Sequence, residues 1–241
     1  MCANYEPISK DRVHLLDLFE PTFEYKADVY PGYDCPLIFS KDGHIEWRQV
    51  KFGMIPPWNH DLKFSKYTYN ARTETVDKKP SFRHAWSKSQ FALIPVEKIY
   101  EPRYVNGKAE RWGIFREDGM PFTVAAIYDS TVIDGQQVRS MSMLTINADN
   151  HPFMSQFHKP EDEKRSIIVI PEEYREDWLN CKKEDAFRFF FEMPLDEFTA
   201  DYFPKPKKLR ISTVDFPIKY TGRCDKLRLV IIYPQVFKFE I

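Results

Sequence analysis

Between Leu37 and Ile146 the chain repeats one rhythm: strand-length runs of β-branched and aromatic residues, each closed by a turn signal. The runs are "HIEWRQVKF", "QFALIPVEKIYE", "RWGIFRE", "FTVAAIYDSTVI" and "SMSMLTINA"; the turns are "KDG", "VNGK", "EDG" and "IDGQ". Helix-like spacing is confined to the flanks. After Ser9, a plausible cap, "DRVHLLDLFE" places Leu15, Leu18 and Phe19 at i, i+3 and i+4. Later, "PEEYREDWL" starts at Pro171, has acids in its first turn and sets Tyr174 four residues before Trp178, and "EDAFRFFFEM" continues in kind. The pattern predicts an α+β fold: one domain over residues 1–241, with a curled, mostly antiparallel, barrel-like β-sheet flanked by short helices and closed by a late strand. No internal repeat and no linker long enough to divide it is visible.

With 35 lysines and arginines against 36 acids, the chain has no global bias toward nucleic acid or membrane, so any polyanion site must be local. Eighteen prolines, eight glycines and 16% aromatics suit many short elements with stiff corners. The cysteines Cys2, Cys35, Cys181 and Cys224 lack the paired spacing of a zinc or redox site, which predicts a reduced setting, no metal and no cofactor, with the last three as structural thiols. Apolar runs such as "SIIVIP" and "LVIIYP" are strand-length, so no membrane segment is expected and the location expected is cytoplasmic. A monomer is expected.

The local positive patch lies from His60 to Lys88, where Lys63, Lys66, Arg72, Lys78, Lys79, Arg83 and Lys88 outnumber Asp61, Glu74 and Asp77. Trp58, Phe64, Tyr67, Tyr69, Phe82 and Trp86 are interleaved with it or adjoin it. Rings beside cations are what a single strand needs for stacking and phosphate neutralisation, and equally what a solvated face over buried aromatics would show. Pro56, Pro57 and Trp58 make a rigid corner able to wedge a base stack or to line a core. A second basic run, "KPKKLR" near residue 207, reads as a solvated face.

Three polar spots stand out. "YNARTET" puts Asn70, Arg72 and Glu74 on one face of an extended segment. "KIYEPRY" ends an apolar strand on Glu101, and "MSQFHKP" sets His158 just past the strand ending at Asn147. A partly buried carboxylate and an imidazole are reasonable acid and base groups. At the other end the chain opens "MCAN". Initiator methionine is trimmed before a small second residue, which would leave Cys2 with a free amine beside its thiol.

The "MC" start, then "FGMIPPW", "NARTET", "PSFR", "ALIPVEKIYE" and "LTINADN" followed by "FH", occur in this order over about the first 170 residues. Together they resemble the SOS response-associated peptidase family, whose members are abasic-site processing proteins. The resemblance implies that Cys2, freed of Met1, captures the ring-opened aldehyde of an abasic site in single-stranded DNA. The amine condenses to an imine and the thiol closes a five-membered thiazolidine; reference pKa values of about 8 and about 8.5 keep both groups usable near neutrality. It further implies that Asn70 orients the Cys2 end and the sugar, Arg72 binds phosphate, and Glu101 and His158 move protons. Trp58 and Pro57 would pack on the bases, and Arg83 and Arg165 would add DNA contacts.

The chain departs from the family pattern in places. Asn4 stands where an arginine is usual, Pro102 replaces a tryptophan, and "KPEDEKRSIIV" aligns Arg165 with the family's arginine only across an insertion, with Ser166 and Ile167 replacing Met and Pro. Two other functions suit these residues: an N-terminal cysteine peptidase or amidohydrolase, with Cys2 attacking an amide and Asn70 stabilising the oxyanion, and a noncatalytic module that binds single-stranded DNA.

Overall fold

Three Xaa-Gly dipeptides reverse the chain between neighbouring strands. Asp42–Gly43, Asn106–Gly107 and Asp134–Gly135 all take positive φ at both residues, from 50° to 79°. That is the backbone of the two-residue type I′ turn, whose twist matches the strands it joins. In the computed structural model these turns close β2 (Asp34–Lys41) on β3 (His44–Phe52), β5 (Phe91–Val105) on β6 (Lys108–Arg116), and β7 (Phe122–Ile133) on β8 (Gln136–Asn147). The structure describes residues 2–205 with their side chains, and the backbone alone of residues 211–220 and 223–232.

The remaining strands are short: β1 (Tyr5–Pro7), β4 (Asn70–Arg72), β9 (Arg165–Ile167), β10 (Val169–Ile170) and β11 (Phe198–Tyr202). Strands β5, β2, β3, β8 and β7 pair in that order and β7 pairs back to β5, closing a five-stranded barrel. Four of its five pairings are antiparallel and the fifth, β3 with β8, is parallel. Closure removes two sheet edges that would otherwise be open to pairing. The barrel-like, mostly antiparallel expectation is met, although the sheet holds eleven strands where sequence pattern showed five.

Alternate residues of β5 go to opposite cores. Ala92, Ile94 and Val96 join a cluster with Cys2, Leu37, Phe52 and Met143, while Phe91 and Leu93 join another with Ile38, Ala125 and Trp178. Both faces are covered, which is why "FALIPV" reads as a continuous apolar run. The second face is roofed by α1 (Arg83–Ser87) and α2 (Arg175–Asn180), with the buried Trp178 indole donating to the Ala92 carbonyl.

The N-terminal helix differs from expectation. Lys10–Leu16 is a 3-10 helix whose buried residues are Val13 and Leu16, Ser9 makes no side-chain cap, and Phe19 is 93% exposed. The 3-10 turn shifts the buried face onto residues three apart, which the α-helical spacing did not mark. Similarly, Glu172–Tyr174 and Ala186–Phe189 are 3-10 turns around the six-residue α2.

The chain divides into two compact units, residues 1–203 and residues 204–241. The second contains an antiparallel hairpin, β12 (Ile211–Tyr220) with β13 (Arg223–Ile232). The basic run near residue 207 and the Cys224 side chain lie outside the described residues. Among the described residues no helix is long and apolar enough to cross a membrane, and no cluster of metal-ligating side chains occurs.

Candidate functional site

Strand β5 outruns the barrel. Its first half is a stave, but from Ile99 onward it pairs with β6 on one side, while β1 lies along it through Tyr5 opposite Ile99. The Tyr100 amide donates to the Asn4 carbonyl at 2.9 Å, which extends this pairing toward the N-terminus and brings Cys2 beside Glu101. Cys2 is 1% exposed and packs into the core, with its thiol directed at the Asn4 carbonyl at 3.4 Å. Asn70, on β4, donates through Nδ2 to the Cys2 carbonyl at 2.8 Å.

His158 reaches the same place from another segment. Its amide donates to the Pro102 carbonyl at 2.6 Å, and it takes a left-handed backbone conformation with φ of 65°. The imidazole Nε2 then lies 3.2 Å from Glu101 Oε2, without the alignment of a hydrogen bond. Thus four residues spread over 157 positions, Cys2, Asn70, Glu101 and His158, converge on one spot.

Burial governs the electrostatics. It raises the Glu101 carboxyl to about 7 and lowers His158 to about 4, the Lys164 ammonium adding to the latter. Both groups favour their neutral forms because neither can be solvated as an ion. The Cys2 thiol is pushed well above its ordinary value, first by burial and then by the Glu101 charge. Near neutral pH the site therefore holds an undissociated thiol, an unprotonated imidazole and a carboxyl close to half-titration.

The remaining expected residues are placed unevenly. Arg72 follows Asn70 at a spacing of two on β4 and is half-exposed, whereas Glu74 lies beyond the strand in a turn. Trp58 is 54% exposed, donates to the Pro80 carbonyl and meets Phe64 edge-on, and Pro57 beside it is partly buried. Arg83 is exposed at the start of α1. Tyr67 stands 82% exposed, but Phe82 is core and Trp86 packs on Phe91, so only part of the aromatic tract faces solvent.

Arg165 requires a correction. Its side chain is 2% exposed, donates twice to Glu74, and also reaches Glu163 and the Thr145 carbonyl. A guanidinium so enclosed is a brace between β8, β9 and the turn at Glu74, not a free phosphate contact.

Two residues carry the site without any signal in the sequence. Lys164 is buried and its ammonium donates to the carbonyls of Phe157 and Lys159, holding the chain on either side of His158. Arg111, from β6, donates to Asn4 Oδ1 through Nε and Nη2 at 3.0 and 2.9 Å and stacks on Tyr100. Asn4 in turn donates to Asp28 and the Val29 carbonyl. An arginine 107 positions away thus fixes the residue that stands where the family pattern has one of its own. The other described thiols are unpaired: Cys35 is buried against the Val50 carbonyl and Cys181 bonds the Trp178 carbonyl.

The family model described as SOS response associated peptidase (SRAP) matches residues 1–203. Abasic site processing protein YoaM of Bacillus subtilis is 26% identical over 171 residues, 69% of this chain and 72% of its own length. Abasic site processing protein YedK of Escherichia coli is 26% identical over 160 residues, 66% of each chain. A solved Bordetella bronchiseptica protein shares 32% identity and superposes with a TM-score of 0.78, covering 84% of this chain and 99% of that one.

Proposed function

The chain belongs to the SOS response associated peptidase family, and on that footing we propose that it captures abasic sites in single-stranded DNA covalently, through the amine and thiol of Cys2 once Met1 is removed. The observation that carries this reading is the convergence of Cys2, Asn70, Glu101 and His158 around a thiol that burial keeps undissociated. A thiolate nucleophile for amide hydrolysis is disfavoured at such a position, because the ionised form is the one that attacks. An amine-first reaction has no such requirement.

In this mechanism the Cys2 amine adds to the aldehyde carbon of the opened sugar. One amine proton passes to the carbonyl oxygen and protonated Glu101 gives it a second, so that water leaves; the proton left on nitrogen returns to Glu101 and a neutral C=N bond remains. His158, unprotonated, relays a proton from the thiol as sulfur adds to that carbon, and the nitrogen takes up the proton as the thiazolidine closes. Asn70 holds the Cys2 carbonyl and hence the direction of the amine. Arg72 and Arg83 contact phosphates, with Trp58 and Pro57 against the bases. The relatives' names, abasic site processing proteins, support the substrate.

The test is the intact mass of the protein before and after mixing with a single-stranded oligonucleotide bearing one abasic site. The expected result is a trimmed protein that gains the oligonucleotide mass less one water, stable to heat, with no such species for Cys2→Ser. A heat-stable adduct of equal yield in Cys2→Ser would overturn the thiazolidine. A trimmed wild type that forms no adduct would overturn covalent capture.

A further inference from the structure

Arg72, the half-exposed arginine of β4, already has an anion. Glu163 Oε2 lies 2.7 Å from its Nη1. The other oxygen of the same carboxylate, Oε1, accepts from Arg165 Nη1 at 2.9 Å and from Asn147 Nδ2 at 3.4 Å. Arg165 is in turn held by Glu74 at 2.7 and 2.9 Å and by the Thr145 carbonyl. Two arginines and two glutamates form one ladder, Arg72–Glu163–Arg165–Glu74, whose charges sum to zero. Only Arg165 is enclosed: the Arg72, Glu163 and Glu74 side chains are 46%, 36% and 47% exposed, against 2% for Arg165.

We propose that Glu163 is a resident anion on Arg72 which a DNA phosphate must displace, so that this one carboxylate sets the affinity and the salt response of strand binding. The inference rests on the reading of Arg72 as a phosphate contact. A phosphate placed on Arg72 with Glu163 still in position would set two anions on one guanidinium. Displacement is cheap, because an exposed ion pair is weak and Glu163 keeps its bond to Arg165 when it lets Arg72 go. Glu163 belongs to "KPEDEKR", the run that joins His158 to Arg165, so the competing charge comes from the segment next to the histidine of the site.

The experiment measures affinity for an undamaged single-stranded oligonucleotide by fluorescence anisotropy between 50 and 200 mM salt, about the range over which such contacts respond most clearly. Wild type, Glu163→Gln, Arg72→Ala and the double variant are compared. Glu163→Gln should tighten binding about 3- to 10-fold and steepen the slope of log K against log salt, because Arg72 then meets the phosphate without releasing a carboxylate that takes up a cation in its place. Arg72→Ala should weaken binding, and in that background Glu163→Gln should change it less than about twofold, since the two side chains act as one unit. Glu163→Asp, which keeps the charge, should bind more weakly than Glu163→Gln even if removal of the carboxylate lowers the melting temperature.

Weaker binding by Arg72→Ala with no gain from Glu163→Gln would overturn the inference and leave the reading of Arg72 standing. An equal gain with and without Arg72 would reduce Glu163 to a diffuse charge and overturn it too. Unchanged binding by Arg72→Ala would overturn the phosphate role of Arg72 and the inference together.

Discussion

Glu101 and His158 sit 3.2 Å apart with almost no solvent between them, and burial moves their titrations in opposite directions. Linkage turns each displacement into a stability slope. Glu101, raised to about 7, contributes stability that is fully present below the ordinary carboxylate range and is lost as pH rises through about 7. His158, lowered to about 4, contributes stability present above the ordinary imidazole value and lost as pH falls through about 4. Between those limits the slopes oppose each other, so the wild type should show a shallow profile. Glu101→Gln should leave the histidine slope exposed and lose stability from pH 6.5 down to 4, whereas His158→Gln should lose it from about pH 4.5 up to 7. Each loss should amount to about 3 kcal/mol, at about 1.4 kcal/mol for every tenfold change in proton affinity. Urea unfolding at pH 4.5, 6 and 7.5 checks both. The same assignment predicts that the rate of abasic-site capture falls as pH rises through about 7, and that Glu101→Gln, slower at every pH, lacks this limb; a persisting limb in that variant would assign it elsewhere.

At the scale of elements, the corner leading to Trp58 depends on Gly53. This residue follows β3 at φ of 109°, and a Cβ there would lie 1.8 Å from the Ser65 carbonyl oxygen, in the 3-10 helix Leu62–Tyr67. Backbone on backbone leaves nothing that can rotate away. Gly53→Ala should therefore cost more than about 2 kcal/mol, measured by denaturant unfolding, through both the clash and the left-handed strain. It should also weaken DNA binding by displacing Phe64 from Trp58. Strands were the legible elements, because period-2 runs and Xaa-Gly turns are local and the register follows from them. The 3-10 segments were misjudged since they have no strong periodic signal of their own and are held by packing. Glu101 and His158 were legible as candidate acid and base groups, but Glu101 lies inside β5, which runs on to Val105 instead of ending there, and the meeting of the two was not legible. Nothing local says that Arg111 will reach Asn4, or that the lysine before Arg165 will fold inward to hold the backbone around His158.

For the whole molecule, the family match and the first compact unit share a boundary at residue 203. The barrel, both arginine braces and the four convergent residues lie within it. A chain ending at Lys205 should therefore fold cooperatively and capture an abasic oligonucleotide at a rate within about twofold of the full chain. Thermal unfolding and a timed gel of the adduct check this, and a loss of either would assign residues 206–241 a part in the site.

Cys2 is a core residue as well as the proposed reacting end, and on that proposal its burial dictates an order of events. Its neighbours in the core come from β5 and β8, far along the chain from it. An aminopeptidase needs a free, extended terminus, which the folded chain no longer offers at Cys2. If capture uses the Cys2 amine, trimming of Met1 has to precede docking of β1, and a molecule that folds untrimmed should form no adduct until it unfolds.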